Sequence, residues 1–446
     1  MRKYLLLFII LILFSSSAFS RSSDDNYILQ IHGIGEEDLR NSSSLKKVSF
    51  YDAYVLALSK NENVAIERES SIQADLKRQE AFGAFLPRVS LKGAKMFPDN
   101  GAGSQMTGIS LYARQNIFTG LTEYARFKSA GYEQKMRKSI LLYISGRLLL
   151  DISRDFYSAL QLEQSIKNRE EMFQLYKGIS LELKRRARLG RAKDSEVLLT
   201  ESQMQKIEAE ILSLKNDLNR VRLSLLNLSG IKTETDLEDS LVLSDPDKGL
   251  EEMLNSLSLR PEVVAAGYEV EMAKQNLMEA KGGHLPSAYL EGSYNLYSKN
   301  KNARDYSASL GVELPIFNGG ITRARVKENE SRLRQAELKL SAIQGDAANE
   351  ITDAWESWES SASQVKAYRE ALTMAEKSYN AVMKEYRLNL TGIIDVFNSL
   401  KELQSGQDEY QRRRLQHTVN RIRLGVACGE FEGSKFQVMK DISSLK

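Results

Sequence analysis

Metal, nucleophilic or acid–base chemistry in this chain would have to be built from three histidines, one cysteine and scattered carboxylates. His32, His284 and His417 lie far apart and in no ligand-spaced motif, whereas metal-binding histidines come at short helical or turn spacings. His417 therefore reads as a helix-packing or lumen residue. Cys428 stands alone, so no intrachain disulfide is possible. No glycine-rich loop precedes a lysine, and Gly101-Ala102-Gly103 falls in a polar stretch where turn flexibility explains it. Glu36-Glu37 and Glu251-Glu252 sit in polar segments, and Trp355 and Trp358, three apart, suit packing better than a binding cage. No catalytic residue, metal ligand or cofactor is assigned, and an enzyme is not expected.

One charge cluster stands out. Arg185, Arg186, Arg188, Arg191 and Lys193 crowd nine positions, either as a solvated helix end or as a contact surface. The chain as a whole is nearly neutral. It carries 62 basic and 59 acidic residues, with 42% hydrophobic and 27% charged positions. Mean hydropathy is −0.38, which suits a water-exposed fold and not a helical membrane bundle. Arg2 and Lys3 precede an apolar run from Tyr4 to Phe14, and Ala18-Phe19-Ser20 offers small residues at a cleavage site. Residues 1–20 are expected to be a secretory signal, the run being shorter than the ~20 residues that span a bilayer. Its removal takes two of the 62 basic residues and none of the 59 acidic ones, leaving +1. No field of that size recruits nucleic acid. No cysteine follows the cleavage site, so N-terminal lipidation is not expected.

The elements that would position any site repeat along the chain. Glu80-Ala81-Phe82-Gly83-Ala84-Phe85-Leu86-Pro87 returns as Glu279-Ala280-Lys281-Gly282-Gly283-His284-Leu285-Pro286, an offset of 199. The same offset relates Ile117-Phe118-Thr119-Gly120 to Ile316-Phe317-Asn318-Gly319, and Arg188-Leu189-Gly190 to Arg387-Leu388-Asn389. The chain divides into a repeat at 49–230, a linker at 231–247 and a repeat at 248–429. An N-terminal extension (21–48) and a C-terminal tail (430–446) match neither half.

Each half reads as a helix ending near Leu-Pro, two strands, a very long helix, a turn and a returning helix. Tyr306, Ala308, Leu310, Val312 and Leu314 alternate with Ser307, Ser309, Gly311 and Glu313, the period of a half-apolar strand. Ile109, Leu111 and Ala113 alternate likewise with Ser110, Tyr112 and Arg114. Tyr289, Tyr294, Tyr297 and Tyr306 suggest an interfacial aromatic girdle. Polar loops are expected near 99–104 and 298–304. Residues 121–187 and 320–386 contain no proline, and a helix of that length reaches roughly 100 Å. Ile207, Ile211, Leu214, Leu218, Val221, Leu225 and Leu228 form a four–three seam for helix-on-helix packing. The 199-shifted positions are polar in the middle, so the second returning helix is expected to bury a different face, through Val419, Ile422 and Val426. Four strands from one chain cannot close a barrel around a pore, so lipid-facing strands imply several copies.

The paired Leu86-Pro87 and Leu285-Pro286, the paired Ile-Phe-x-Gly motifs and the paired Arg-Leu-Gly/Asn turns resemble the TolC-like outer-membrane efflux protein family. The resemblance covers residues 49–429. It implies a mainly α fold with a β-barrel part: a homotrimer whose chains together form a 12-stranded outer-membrane barrel, set in lipid, and a periplasmic α-helical tunnel. It also implies partners, a periplasmic adaptor (membrane fusion) protein and an inner-membrane pump or ABC exporter, in an efflux or type I secretion system. Arg188, Leu189, Gly190, Arg387, Leu388 and Asn389 would form the tip that meets the adaptor, and Tyr386, Asp395 and Glu196 the periplasmic gate. A ring of Asp395 would attract cations; helix capping is a second role for the same residue. Two positions depart from the family pattern. Asn398 replaces a second carboxylate, and Thr391 stands where a basic residue can lock the hairpins together. The competing reading is a periplasmic coiled-coil adaptor or structural protein without a barrel, which the duplicated strands disfavour. The cargo is not legible.

Overall fold

The computed structural model describes residues 47–96, 105–241, 243–297 and 306–430. The signal segment, most of the N-terminal extension, nearly all of the C-terminal tail, His32 and the loops at 99–104 and 298–304 lie outside the described residues.

The first half runs β1 (Lys47–Ser49), α1 (Phe50–Lys60), α2 (Glu62–Gly83), β2 (Arg88–Met96), β3 (Gln105–Thr119), α3 (Thr122–Arg188) and α4 (Asp194–Ser229). After β4 (Asp236–Glu238) come α5 (Leu250–Asn255) with a 3-10 turn, α6 (Pro261–Gly282), β5 (Ser287–Tyr297), β6 (Tyr306–Glu313), α7 (Ile321–Arg387) and α8 (Ile393–Ala427). The 199-residue offset survives at the level of elements: α3 and α7 are both 67 residues long, and α2 and α6 are both 22. At 1.5 Å per residue the long helices extend about 100 Å.

The halves lie side by side. The sheet order is β2-β3-β5-β6, antiparallel throughout, and the helices follow the same order, α2 packing on α3, α3 on α6 and α6 on α7. The close approach of the halves depends on glycine. A Cβ on Gly120 would sit 2.4 Å from the Gly282 carbonyl oxygen, and Gly120 has φ +62°, where a side chain is strained.

Midway along the long helices the main core gathers Phe50, Tyr54, Ile152, Phe156, Tyr157, Leu225 and Ile422. The linker contributes here: β4 pairs parallel with β1, and Val48 on β1 is buried. All seven seam residues of α4 are buried or half-buried. On α8 one expectation holds and one is corrected. Val419, Ile422 and Val426 do pack against the first half's core. The seam-equivalent face, however, is not released from its own hairpin. It meets α7 through polar contacts: Arg413 Nη1 to Gln364 Oε1 at 2.9 Å, His417 Nδ1 to Ser361 Oγ at 2.8 Å and Asn420 Nδ2 to the Ser357 carbonyl at 3.0 Å. The polar seam survives because Arg413, His417 and Asn420 each find a partner on α7. Trp355 and Trp358 pack beside it with Met253 and Leu424, and the Trp358 ring stacks on His417.

Candidate functional site

Two places combine exposure with organised chemistry: the sheet at one end and the helix turns at the other. The sheet is amphipathic in register. Leu91 lies opposite Leu111, Leu111 opposite Tyr294, and Tyr294 opposite Tyr306, and partners in a ladder share a face. Leu290 and Leu310 form another pair on that face, as do Ala288 and Val312. Leu310 is 67% and Val312 70% exposed, so among the described residues nothing covers this part of the apolar face.

The opposite face is polar and internally satisfied. Arg114 pairs with Glu291 at 3.1 Å and lies over the Tyr289 ring at 4.2 Å. Lys92 covers Tyr112 at 3.4 Å, and Ser293 and Ser307 share a hydrogen bond of 2.8 Å. The tyrosine girdle is thereby corrected at one position. Tyr294 and Tyr306 lie on the apolar face, but Tyr289 is opposite Asn116 and turned to the polar one, held there by the Arg114 guanidinium. Among the described residues no helix is long and apolar enough to cross a membrane, and none of their His, Cys, Asp and Glu side chains cluster in a way that could hold a metal ion.

At the far end both long helices reverse by the same device. Arg191 N–H donates to the Arg186 carbonyl at 2.8 Å, and Leu390 N–H to the Glu385 carbonyl at 2.9 Å, the long return bond of a Schellman turn. Gly190 (φ +67°) and Asn389 (φ +59°) take the left-handed position. Arg188, Leu189, Gly190, Arg387, Leu388 and Asn389 are all exposed, along with Leu390 and Ile394, which the motifs had not singled out.

The three candidate gate residues separate into two groups. Asp395 is not the N-cap residue of α8. It lies three residues inside and reaches back, accepting from Gly392 N–H at 3.2 Å and from Thr391 Oγ1 at 2.6 Å. These two bonds hold its carboxyl below the usual range. Glu196, its counterpart 199 residues earlier, does the same for Lys193 N–H at 3.4 Å. Tyr386 is half-buried in an apolar cluster with Tyr176, Leu183, Val396 and Phe397. Burial pushes its phenol up, Arg186 opposes this, and Glu196 and Glu182 add to it. Arg186, on the first hairpin, lies 5.6 Å from the Tyr386 ring centroid on the second and bonds Glu182 at 2.8 Å. The basic cluster thus supplies a bridge between hairpins that Thr391 does not. Basic crowding was visible in sequence; which of the five cations meets Tyr386 was not.

A model of the family described as "Outer membrane efflux protein" matches residues 254–430, the second repeat. Outer membrane protein TolC of Escherichia coli is 20% identical over 403 residues, covering 82% of this chain and 78% of that protein. Over residues 254–430 the chain matches the outer-membrane efflux protein family, and it is similar to TolC over most of its length. The crystal structure of the Campylobacter jejuni CmeC outer membrane channel shares the fold with TM-score 0.76 at 13% identity, covering 91% of this chain and 90% of that one. That of the Vibrio cholerae outer membrane protein VceC does so with TM-score 0.75 at 16% identity, covering 86% and 96%.

Proposed function

We propose that the chain is one subunit of an outer-membrane channel serving efflux or type I secretion, a passive conduit and not an enzyme. The observation that carries this is the four-stranded sheet, with one apolar face exposed, one polar face self-paired and both edge strands open, mounted on helices about 100 Å long. In hydrocarbon every backbone polar group needs a partner, so the open edges of β2 and β6 call for further copies. Three copies would supply twelve strands. The polar face with Arg114, Glu291 and Lys92 would then line water, and the long helices would continue the conduit through the periplasm.

In this reading the exposed leucines of the two turns, with Arg188 and Arg387, receive a periplasmic adaptor that couples the channel to an inner-membrane pump or ABC exporter. Tyr386, Glu196 and Asp395 form the constriction. The Arg186–Tyr386 bridge holds the second hairpin in, and Asp395 contributes its charge while capping α8. Conductance tests the reading. Purified oligomers in planar bilayers should give discrete, small current steps, and wild-type protein that inserts but never conducts would refute it.

A further inference from the structure

Where the sheet gives way to the helices, the first repeat carries an aromatic cluster that the second does not. Phe82 on α2 and Phe85 just after it meet Phe127 on α3, with ring centroids 6.2 and 5.9 Å away, and each other at 6.4 Å. Both remain exposed, Phe82 at 47% and Phe85 at 37%. Leu121, Tyr124 and Lys128 follow at three- and four-residue spacing, so they share one face of α3, and all three are exposed. Moving Phe82, Phe85, Tyr124 and Phe127 by 199 gives Lys281, His284, Arg323 and Val326. A girdle belonging to lipid-facing strands in general would be carried by both repeats; this cluster is confined to the first.

Two cations complete it. The Arg78 guanidinium lies 5.5 Å from the Phe127 ring centroid, and the Lys128 ammonium 5.6 Å from that of Tyr124. Arg78 bonds the neutral Gln134 side chain at 2.7 Å, and among the described residues neither cation forms an ion pair. Carboxylates close by are engaged elsewhere, Glu133 by Lys77 at 2.7 Å and Glu123 by Asn116 at 2.7 Å. Asp75, on the Arg78 face of α2, lies a turn farther from the sheet with one oxygen buried. The cluster also continues the apolar face of the sheet. Phe118, opposite Ala288, falls on that face. So does Gln115, opposite Leu290, and its side chain donates to the Phe85 carbonyl at 2.9 Å. Arg78 lies five residues before the end of α2 and Lys128 six after the start of α3, ~8–9 Å along each helix. The order leaving the sheet is therefore apolar, aromatic, cationic, in which a bilayer presents hydrocarbon, interface and headgroup.

We propose that this cluster is a headgroup site for one anionic phospholipid, of the phosphatidylglycerol type, in the leaflet nearest the helices. Its phosphate is met by Arg78 and Lys128, and its glycerol and upper acyl chains lie against Phe82, Phe85, Tyr124 and Phe127. This rests on the channel reading, which sets the sheet in lipid, and adds to it a lipid class and a site confined to the first repeat. A zwitterionic lipid offers the same phosphate with an ammonium beside it, which two cations repel. The anionic lipid carries no such opposing charge, and basic side chains at a membrane surface attract it.

The test uses full-length oligomers carrying Phe85→Trp in phosphatidylcholine vesicles with increasing brominated phosphatidylglycerol or brominated phosphatidylcholine. The native Trp355 and Trp358 lie at least 34 residues into α7, ~50 Å from the sheet, and give a background that lipid does not quench. Quenching of the introduced indole should show phosphatidylglycerol preferred about fivefold at low salt, the factor one cation at a membrane surface supplies. High salt should shrink the preference. Adding Arg78→Gln with Lys128→Gln should bring it close to one, whereas Arg323→Gln with Lys327→Gln, removing the same charge from the second repeat, should leave it unchanged. Equal quenching by the two lipids before those charges are removed, or equal loss from both pairs of substitutions, would overturn the inference and leave the lipid-embedded sheet in place. No quenching by either lipid from oligomers that conduct would put protein over the cluster and overturn the inference alone; no quenching and no conduction would remove the channel reading as well.

Discussion

Replacing Arg186 by alanine should loosen the contact between the two hairpins at the tip. The guanidinium lies 5.6 Å from the Tyr386 ring centroid, and such a contact is worth ~0.5–1 kcal/mol where water reaches it and ~2 kcal/mol where it does not. Tyr386 is half-buried, which puts the contact near ~1 kcal/mol. Glu182 keeps a second partner, Arg185 at 2.7 Å, so the substitution leaves no stranded carboxylate. If three tips open together, the terms sum to ~3 kcal/mol, a shift of roughly a hundredfold in the open-to-closed ratio. Single-channel recording reads this directly as open probability. Tyr386→Leu should shift it similarly, and the double variant should add little beyond either single one, since both remove one contact. Unchanged open probability in Arg186→Ala with oligomers intact, or full additivity in the double variant, would refute the reasoning.

Asp395→Ala should raise conductance and cation permeability change with it, while hydrogen exchange speeds in the first turn of α8; an unchanged current–voltage curve would exclude Asp395 from the constriction. Ile152→Ala, fully buried in the midsection core, should destabilise the fold by ~2–5 kcal/mol in denaturant unfolding. Gly120→Ala should lower the yield of folded chain, because of its positive φ and its contact with Gly282. Gly319→Ala has the same backbone strain but an open surround, so it should spare the chain's fold and reduce oligomer yield. Burial, with Arg421 adding to it and Asp245 opposing, lowers the His417 pKa. The unfolded chain then takes up the proton first, so stability contributed by neutral His417 is present above pH ~6.5 and declines as pH falls from there toward the folded value. His417→Gln should flatten that part of a pH–melting profile. Cys428, whose thiol burial pushes up to about 11, should resist alkylation at pH 8 until the chain is unfolded.

The repeat made most of the architecture legible. Leu86-Pro87 and Leu285-Pro286 stop one helix and start a strand in each half, Phe-x-Gly starts the long helix, and Gly190 and Asn389 end it. The expected 121–187 and 320–386 became Thr122–Arg188 and Ile321–Arg387, a one-residue shift. Strand alternation gave the correct faces because a ladder keeps partners on one side. What failed needed to know the neighbour. The polar seam of α8 looked abandoned until Gln364, Ser361 and Ser357 were seen to satisfy it. Tyr289 read as girdle because period alone does not show that Arg114 draws its ring to the polar face. Arg186 and Tyr386 lie on different hairpins, and only the fold brings them together. Asp395 and Glu196 carried a clearer signal than was used: each is the third residue of its helix, three after the N-cap, the position from which a carboxylate caps.

The central claim is that the sheet is embedded in lipid by its apolar face, with its polar face lining water. Site-directed spin labels at Leu310, Val312, Ser307 and Ser309 in reconstituted oligomers test it most directly, read by accessibility to oxygen and to a water-soluble nickel chelate. Labels at Leu310 and Val312 should favour oxygen, and those at Ser307 and Ser309 the chelate, alternating along β6. Equal accessibility to the chelate at all four positions would contradict the account.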